Sequence, residues 1–468
     1  MTPLSPLAIE LRGIQLIEAS AGTGKTHTIT TLFVRLLLER KVRVDQILVV
    51  TFTKAATAEL RDRVRRRLGQ ALAAFRGEDV DPELAELARA SRDREGDVAR
   101  LEESLSEFDQ AAIFTIHGFC QRAIADHAFE GGLGFDLSLV TDQRALVGEA
   151  VLDFWVRELS TASPAELEHL AARRVSPRRW QRLAAEVLGA PDLRIIPEPR
   201  VHDPGPALER FFRLKLAARD AFLRDRAQLL ARLSDPVLMN QHRFPSRDMP
   251  ARFAALDAFF DAGQAHLGGF ESTLGRLTSS AVSSGTKKGK VAPPRHALFE
   301  LADEMAAAYA AARTELDAWQ IALEHRLVAW VRIELPKKKR DKSVQTFDDL
   351  LLELDRALDG PRGRELARVL SERHPVALVD EFQDTDPVQY RIFRRLYRGQ
   401  AGALFLIGDP KQAIYGFRGA DVFSYLGALG DAGDHAHTLG VNHRSDPGLV
   451  WATNRLFARA DHPFVLRG

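Results

Sequence analysis

Two short segments far apart in the sequence have residue types that suit phosphate binding and hydrolysis. The first covers residues 19–26, follows an apolar run and precedes a helical pattern. Its glycines would let backbone N–H groups approach phosphate oxygens, and the helix N-terminus would favour their negative charge. Lys25 would contact the β- and γ-phosphates of a nucleotide, and the Thr26 hydroxyl would bind Mg²⁺. The predicted nucleotide-binding residues are Ala19, Ser20, Ala21, Gly22, Thr23, Gly24, Lys25 and Thr26.

The second segment comes late in the chain. The apolar run Val376–Val379 is followed directly by Asp380 and Glu381. In nucleoside triphosphate hydrolases, one carboxylate at such a strand end binds Mg²⁺, and another group positions or activates the attacking water. We therefore expect one of the two carboxylates to share the metal with Thr26 and the other to act on the water. The first segment lacks the initial glycine of the strict phosphate-loop motif, since Ala19 stands there, so the prediction of one ATP-hydrolysing site depends on both segments together.

The segments around these two sites alternate between strand and helix patterns. Apolar runs at 47–50 and 111–114 each precede a helical pattern, and the alternation returns at Val376–Val379 and Ala403–Ile407. This alternation predicts an α/β fold with a parallel sheet and crossover helices. Residues 142–335 instead have an Ala/Leu/Arg-rich helical periodicity, which predicts a helical insertion. Within it, the Ser-, Gly-, Lys- and Pro-rich stretch Ser279–Pro294 predicts a mobile loop.

Composition limits the class of protein. With 468 residues the chain is long enough for two or more domains, and 45% hydrophobic with 28% charged residues is typical of a soluble protein. The single cysteine, Cys120, excludes an internal disulfide, and we expect it to be buried. No secretory leader or membrane-spanning run is evident, so a cytoplasmic protein without membrane contact is expected. The net charge of +1 does not indicate a nucleic-acid partner by itself.

Five further segments stand near predicted strand ends, where ligands of parallel sheets bind. They are Thr51–Ala56, Phe114–Phe119, Thr346–Leu351, Ile407–Ala420 and Asn442–Ser445. In the third, Asp348 and Asp349 are expected to cap a helix N-terminus rather than to act in catalysis.

In this order the motifs resemble those of superfamily 1 DNA helicases of the UvrD/Rep type, and most closely the RecB subunits of bacterial RecBCD helicase–nucleases. Residues 380–390 and 408–420 account for this likeness, and AddA-type subunits rank second. The resemblance implies a P-loop NTPase (RecA-like) motor domain formed by residues 1–141 and 336–440. It also implies that 142–335 is the insertion and that 441–468 begin a second, truncated motor domain.

The resemblance assigns roles to single residues. Asp380 would bind Mg²⁺, and Glu381 would orient or deprotonate the attacking water. Gln412 would contact the γ-phosphate and the attacking water, and Arg444 would stabilise charge on the γ-phosphate. His443 stands where relatives have a Trp or Tyr against the adenine, and Gln15 lies too close to the loop to match the upstream glutamine motif of Rep-type helicases. Stacking on bases and hydrogen bonds to phosphates would place single-stranded DNA. The DNA-binding residues expected are Phe52, Thr53, Thr115, His117, Tyr415 and Phe417.

The function implied is an ATP- and Mg²⁺-dependent 3′-to-5′ DNA helicase that acts in double-strand break repair. Its implied partners are single-stranded DNA, duplex DNA ends and RecC- and RecD-like subunits. The absence of the later helicase motifs and of a nuclease signature leads us to expect an N-terminal portion of such a protein. The alternative is a module that binds ATP and single-stranded DNA without motor activity of its own.

Overall fold

The architecture was taken from a computed structural model that describes residues 5–78, 81–126, 138–140, 142–189, 193–199, 202–263, 265–287, 292–399, 402–414 and 421–459. The described residues divide into two compact units. The first comprises Met1–Thr141 with Ser343–Gly468, and the second comprises Asp142–Lys342.

A six-stranded parallel sheet forms the centre of the first unit. Its strands are β1 (Gly13–Ala19), β2 (Ile47–Thr51), β3 (Ile113–Thr115), β6 (Val376–Val379), β7 (Ala403–Gly408) and β8 (Ala436–Leu439). The spatial order is β3-β2-β6-β7-β1-β8. A separate parallel pair joins β4 (Ser138–Val140) to β5 (Val344–Thr346). The α/β fold with a parallel sheet that the sequence predicts is confirmed.

Helices cover both faces of the larger sheet, as parallel strands require. The helices of this unit are α1 (Lys25–Glu39), α2 (Lys54–Arg76), α3 (Pro82–Ala90), α4 (Arg94–Ser106), α5 (Ile116–Asp126), α13 (Phe347–Asp359), α14 (Gly363–Arg373), α15 (Pro387–Tyr397), α16 (Val422–Ala432) and α17 (Pro447–Phe457). Successive residues of β6 belong to opposite cores: Val376 and Leu378 pack in one cluster, and Ala377 and Val379 in the other. This explains why the strand is apolar at every position.

The second unit is helical, as its sequence pattern predicts. Its helices are α6 (Arg144–Leu159), α7 (Pro164–Ala172), α8 (Pro177–Leu188), α9 (Gly205–Ser234), α10 (Met249–Asp261), α11 (Ser279–Gly285) and α12 (Ala297–Asp341). The long helix α12 continues through Pro336, so it ends six residues later than the insertion boundary expected at 335. Proline removes one helical N–H donor, but its fixed φ remains compatible with the helix.

The prediction of a mobile loop at Ser279–Pro294 is wrong for its first half. Ser279–Gly285 form helix α11, and the Thr278 side chain caps it by accepting from the Ala281 N–H at 3.3 Å. Val282 is fully buried in the core of the unit. A good N-cap and one buried apolar side chain therefore outweigh the loop-like composition. Within the ranges described above, we find no helix long and apolar enough to cross a membrane.

Candidate nucleotide and nucleic-acid site

The predicted phosphate loop connects β1 to α1. Its glycines are needed for conformation, since Gly22 and Gly24 have φ values of 81° and 92°. Thr23 closes the turn, because its N–H donates to the Ser20 carbonyl at 3.1 Å. No side chain caps α1, so N–H groups of its first turn remain available to a ligand. The arrangement suits an anion such as a nucleotide phosphate.

The segment Asn442–Ser445 is attached to this loop through hydrogen bonds. The Asn442 side chain donates to the Ala21 carbonyl at 3.1 Å, and the His443 N–H donates to the Gly22 carbonyl at 2.8 Å. A Cβ on Gly22 would lie only 2.6 Å from the Cβ of Arg444. Two predicted nucleotide-binding residues, His443 and Arg444, thus lie directly against the loop, and neither is buried.

The two segments that predicted the site meet at one ion pair. Nζ of Lys25 lies 2.6 Å from Oε2 of Glu381, although the residues are 356 positions apart. The lysine side chain is 14% exposed and the glutamate 38%. The phosphate loop and the two carboxylates therefore belong to one site.

Asp380 lies at the end of β6, where its N–H donates to the Val50 carbonyl of β2 at 2.9 Å. Burial, and then the neighbouring Glu381 charge, raise the pKa of Asp380 to about 6, while Lys25 opposes the shift. Burial disfavours the charged form of a carboxylate, and a cation bound beside it favours that form. Asp380 is therefore suited to binding a metal ion.

Glu381 has a backbone conformation that non-glycine residues seldom adopt, with φ 51° and ψ 43°. Its carboxylate Oε2 also accepts from Nε2 of Gln383 at 2.7 Å. The Glu381 N–H donates to Oδ1 of Asp380 at 2.9 Å, which orients the Asp380 carboxylate. Strained backbone of this kind clusters at functional sites.

Gln412 belongs to the same hydrogen-bonded group, through Asp409 at the end of β7. Nε2 of Gln412 donates to Oδ2 of Asp409 at 2.8 Å. Asp409 is almost fully buried, and its N–H donates to Oε1 of Gln383 at 3.0 Å. Lys411 pairs with Glu18 and lies 3.2 Å from Oδ1 of Asp409. A continuous path of hydrogen bonds thus joins Glu381 to Gln412.

Gln383, Asp409 and Asn442 have no role predicted from the sequence, although all three lie in the motifs named above. The available signal was that Gln383 and Asp409 follow predicted strands by a few residues, whereas the strand before Asn442 was not predicted. That signal does not distinguish side chains that contact a ligand from side chains that hold other residues in place. Gln15, by contrast, is fully buried, and its Oε1 lies 3.0 Å from Nε2 of His437.

The predicted DNA-binding threonines lie at the ends of two neighbouring strands. Thr53 follows β2, Thr115 ends β3, and the two strands pair with Thr51 opposite Thr115. Thr53 accepts from the Ala56 N–H at 3.1 Å, and Thr115 accepts from the Gly118 N–H at 3.1 Å. Both oxygens therefore cap helices, while each hydroxyl hydrogen can still donate to a phosphate.

His117 and Phe52 are partly buried beside these threonines. The His117 ring packs edge-on against Phe347, with ring centroids 5.6 Å apart. Burial lowers the pKa of His117, and the Asp348 charge opposes this shift. A neutral imidazole can donate one hydrogen bond to a phosphate without forming an ion pair. The predicted stacking residues Tyr415 and Phe417 lie outside the described residues.

Both Asp348 and Asp349 lie in the first turn of α13, whose N-cap is Thr346, and Asp349 takes part in the capping. Its N–H donates to the Thr346 hydroxyl at 3.4 Å, and its Oδ2 accepts from the Thr346 N–H at 2.7 Å, which completes a capping box. Cys120 is fully buried, as expected.

The Thr26 hydroxyl and the Asp380 carboxylate, the expected metal ligands, are oxygen donors of the kind that Mg²⁺ prefers. Mg²⁺ in nucleotide sites is held by one or two protein oxygens together with phosphates and water, not by a protein cage. Among the described residues, no group of three or more His, Cys, Asp or Glu side chains could hold a metal. Thr26 and Asp380 are the sequence neighbours of Lys25 and Glu381, the two residues that the 2.6 Å ion pair joins.

Comparisons with known proteins give one consistent result. Residues 4–432 match the family described as UvrD/REP helicase N-terminal domain. The chain is similar to the RecBCD enzyme subunit RecB of Escherichia coli, with 37% identity over 99% of this chain and 39% of that protein. It is also similar to RecB of Haemophilus influenzae, with 30% identity over 99% of this chain and 41% of the relative.

A third RecB, from Mycobacterium tuberculosis, is 30% identical over 93% of this chain and 29% of its own length. The chain thus spans about two fifths or less of the length of these three curated relatives. The family match covers β1–β7 and therefore both halves of the Lys25–Glu381 site. The chain belongs to the UvrD/REP helicase N-terminal domain family.

Proposed function

We propose that this chain is the ATP-hydrolysing motor part of a RecB-type DNA helicase, which moves 3′-to-5′ along single-stranded DNA and acts in double-strand break repair. The observation that supports it best is the 2.6 Å contact between Lys25 and Glu381. This contact joins the phosphate loop to a pair of carboxylates, although Lys25 and Glu381 are 356 positions apart in the sequence. Such a combination is the core of ATP-hydrolysing sites.

The roles follow from the positions of the side chains. Thr26 and Asp380 would hold Mg²⁺, which when bound neutralises charge on the phosphates. Lys25 would leave Glu381 to contact the β- and γ-phosphates, and the freed carboxylate would accept a proton from water. Gln412 and Arg444 would contact the γ-phosphate, and His443 would pack against the base.

The nucleic acid would bind at the β2–β3 edge of the sheet. Thr53, Thr115 and His117 offer hydrogen-bond donors there, and Phe52 offers an aromatic ring beside them. Asp380 donates its N–H to Val50 of β2, which connects the carboxylate strand to this edge. Stacking by Tyr415 and Phe417 would add affinity that is independent of base sequence.

The relatives are named as subunits of the RecBCD enzyme, so RecC- and RecD-like subunits are the proposed partners of this chain. The proposed compartment is the cytoplasm, and the proposed nucleic-acid substrates are single-stranded DNA and duplex ends. An AddA-type role is a weaker alternative, because the relatives from Escherichia coli, Haemophilus influenzae and Mycobacterium tuberculosis are all RecB subunits.

A direct test measures binding of a fluorescent ATP analogue, DNA-stimulated phosphate release and strand separation for the chain with and without candidate partner subunits. Lys25→Ala should abolish nucleotide binding and all dependent activities. Lys342→Ala is the matched control, because this exposed lysine pairs with Glu149 in the helical unit. Unchanged nucleotide binding by Lys25→Ala would refute the proposed function.

A second candidate function is a module that binds ATP and single-stranded DNA without moving. It is favoured by α17, which has no buried residue and exposes Leu449, Trp451 and Leu456. A motor needs two domains that close around the nucleotide. Nucleotide binding by the chain with no strand separation, restored by an added polypeptide, would support this candidate for the chain alone.

A further inference from the structure

Gln383 is a buried amide with a hydrogen bond at each end. It is 3% exposed, its Nε2 donates to Oε2 of Glu381 at 2.7 Å, and its Oε1 accepts from the Asp409 N–H at 3.0 Å. These bonds connect the end of β6 to the end of β7. Sequence analysis assigned it no function.

The orientation of this amide is fixed by chemistry. A backbone N–H can only donate, so the amide oxygen must face Asp409, and the NH₂ group must then face Glu381. The opposite orientation would direct two donors at each other and two acceptors at each other. The NH₂ group of Gln383 is therefore a neutral donor to Glu381, and it keeps this role at every pH at which the protein is folded.

Gly408 leaves the space that the amide occupies. A Cβ at this position would lie 2.6 Å from Oε1 of Gln383 and 3.0 Å from its backbone nitrogen. A side chain on residue 408 would therefore displace the amide. The close approach of β7 to Gln383 therefore depends on a residue without a side chain at position 408.

Glu381 Oε2 has two donors in this structure, Lys25 at 2.6 Å and Gln383 at 2.7 Å. A nucleotide would need the lysine for its phosphates. If Lys25 were the only donor, its departure would leave the carboxylate with hydrogen bonds from water alone, because the Glu381 side chain is 38% exposed. Gln383 keeps one protein hydrogen bond on the carboxylate because it stays in place.

We infer that Gln383 is a positioning residue that holds Glu381 and thereby frees Lys25 to bind nucleotide phosphates. The inference rests on the proposed function, because it assumes that Lys25 contacts those phosphates. It goes beyond that function by assigning the nucleotide affinity partly to a side chain that does not touch the ligand.

The test measures the affinity of the chain for a fluorescent ATP analogue, with no turnover required. Gln383→Leu has a similar volume but removes both hydrogen bonds, and it should weaken binding roughly 10-fold, the effect of one hydrogen bond to a charged group. In a Glu381→Gln background the lysine is no longer held by a carboxylate. There, Gln383→Leu should change the affinity by less than about twofold.

Gln389→Leu is the matched control. Gln389 is 4% exposed and accepts from the Asp386 N–H at 3.4 Å in a capping box, away from the Glu381–Gln383–Asp409 path. It should leave nucleotide affinity unchanged in both backgrounds. If Gln383→Leu does not fold, Gln383→Met replaces it, because it is similar in length, uncharged and removes both hydrogen bonds.

Two results would overturn the inference. One is equal weakening by the Gln383 substitution in both backgrounds, which would mark a purely structural role. The other is unchanged affinity in the wild-type background. Failure of the proposed function is distinguishable, because Lys25→Ala would then bind nucleotide as tightly as the wild-type chain.

Discussion

Nζ of Lys25 lies 2.6 Å from Oε2 of Glu381, so one hydrogen bond joins the phosphate loop to the carboxylate strand. The lysine ammonium has three hydrogen-bond donors, so a nucleotide phosphate that contacts Lys25 would compete with the Glu381 carboxylate for its charge. Under the proposed function, we therefore expect nucleotide binding to weaken this ion pair.

Glu381→Gln should separate binding from hydrolysis. The substitution preserves shape but removes both the charge that holds Lys25 and the group proposed to accept a proton. Nucleotide affinity should be equal to or higher than that of the wild-type chain, while DNA-stimulated phosphate release should fall by about 10²–10⁴. Equilibrium binding and single-turnover hydrolysis measure the two effects. Near-normal hydrolysis would show that Glu381 is not the base.

Tyr415→Ala combined with Phe417→Ala should weaken single-stranded DNA binding by roughly 1–3 kcal/mol per stacked base. Basal ATP hydrolysis should persist, and its stimulation by DNA should decline. Fluorescence anisotropy with a labelled oligonucleotide measures the affinity. Phe423→Ala is the control, because Phe423 is 72% exposed on the neighbouring helix α16. Equal losses of basal activity and thermal stability would identify the pair as core residues.

The sequence predicts much of the sheet because its central strands are almost entirely apolar. Ile47–Thr51, Val376–Val379 and Ala403–Gly408 are buried on both faces, so all but one or two of their residues are apolar. That Lys25 and Glu381 lie close together was likewise predictable, because the phosphate loop and the two carboxylates follow strands of one parallel sheet.

The rest depends on tertiary contacts that no local pattern encodes. Arg67 belongs to a run of arginines typical of a solvated helix face, yet it is buried and pairs with Asp81 and Glu83. Gln383 looks like any polar residue after a strand, and its two partners become visible only when β6 and β7 lie side by side. A side chain that holds another residue in place has no distinctive spacing.

Cys120 should be unreactive in the folded chain. It is fully buried, and burial together with the Asp386 charge raises the pKa of its thiol well above the ordinary value. Thiolate is the reactive form, so an aromatic disulfide reagent should label the native protein far more slowly than the unfolded one. Release of the chromophore with and without denaturant measures the difference. Rapid labelling of the native protein would contradict the buried position.

His374 should make the stability of the sheet unit depend on pH. Its ring lies edge-on to Phe119, and burial, with help from Arg373, lowers the pKa of His374 to about 4, while Asp45 and Asp126 oppose the shift. The ring is neutral in both states above its unfolded pKa of about 6.5. As the pH falls, the unfolded chain takes up the proton first, so folding stability is lost between about pH 6.5 and 4.

The loss attributable to this ring should reach about 2 kcal/mol at about pH 5, since each pKa unit corresponds to about 1.4 kcal/mol. His374→Gln cannot titrate, so the difference in free energy of unfolding between it and the wild-type chain should shift by that amount between neutral pH and pH 5. Urea unfolding at about pH 7.5 and about pH 5 measures this difference. His242→Gln, at an exposed position, should track the wild-type chain at both values. Parallel losses in His374→Gln and the wild-type chain would mean that other groups cause the acid sensitivity, because only the titration of His374 distinguishes them.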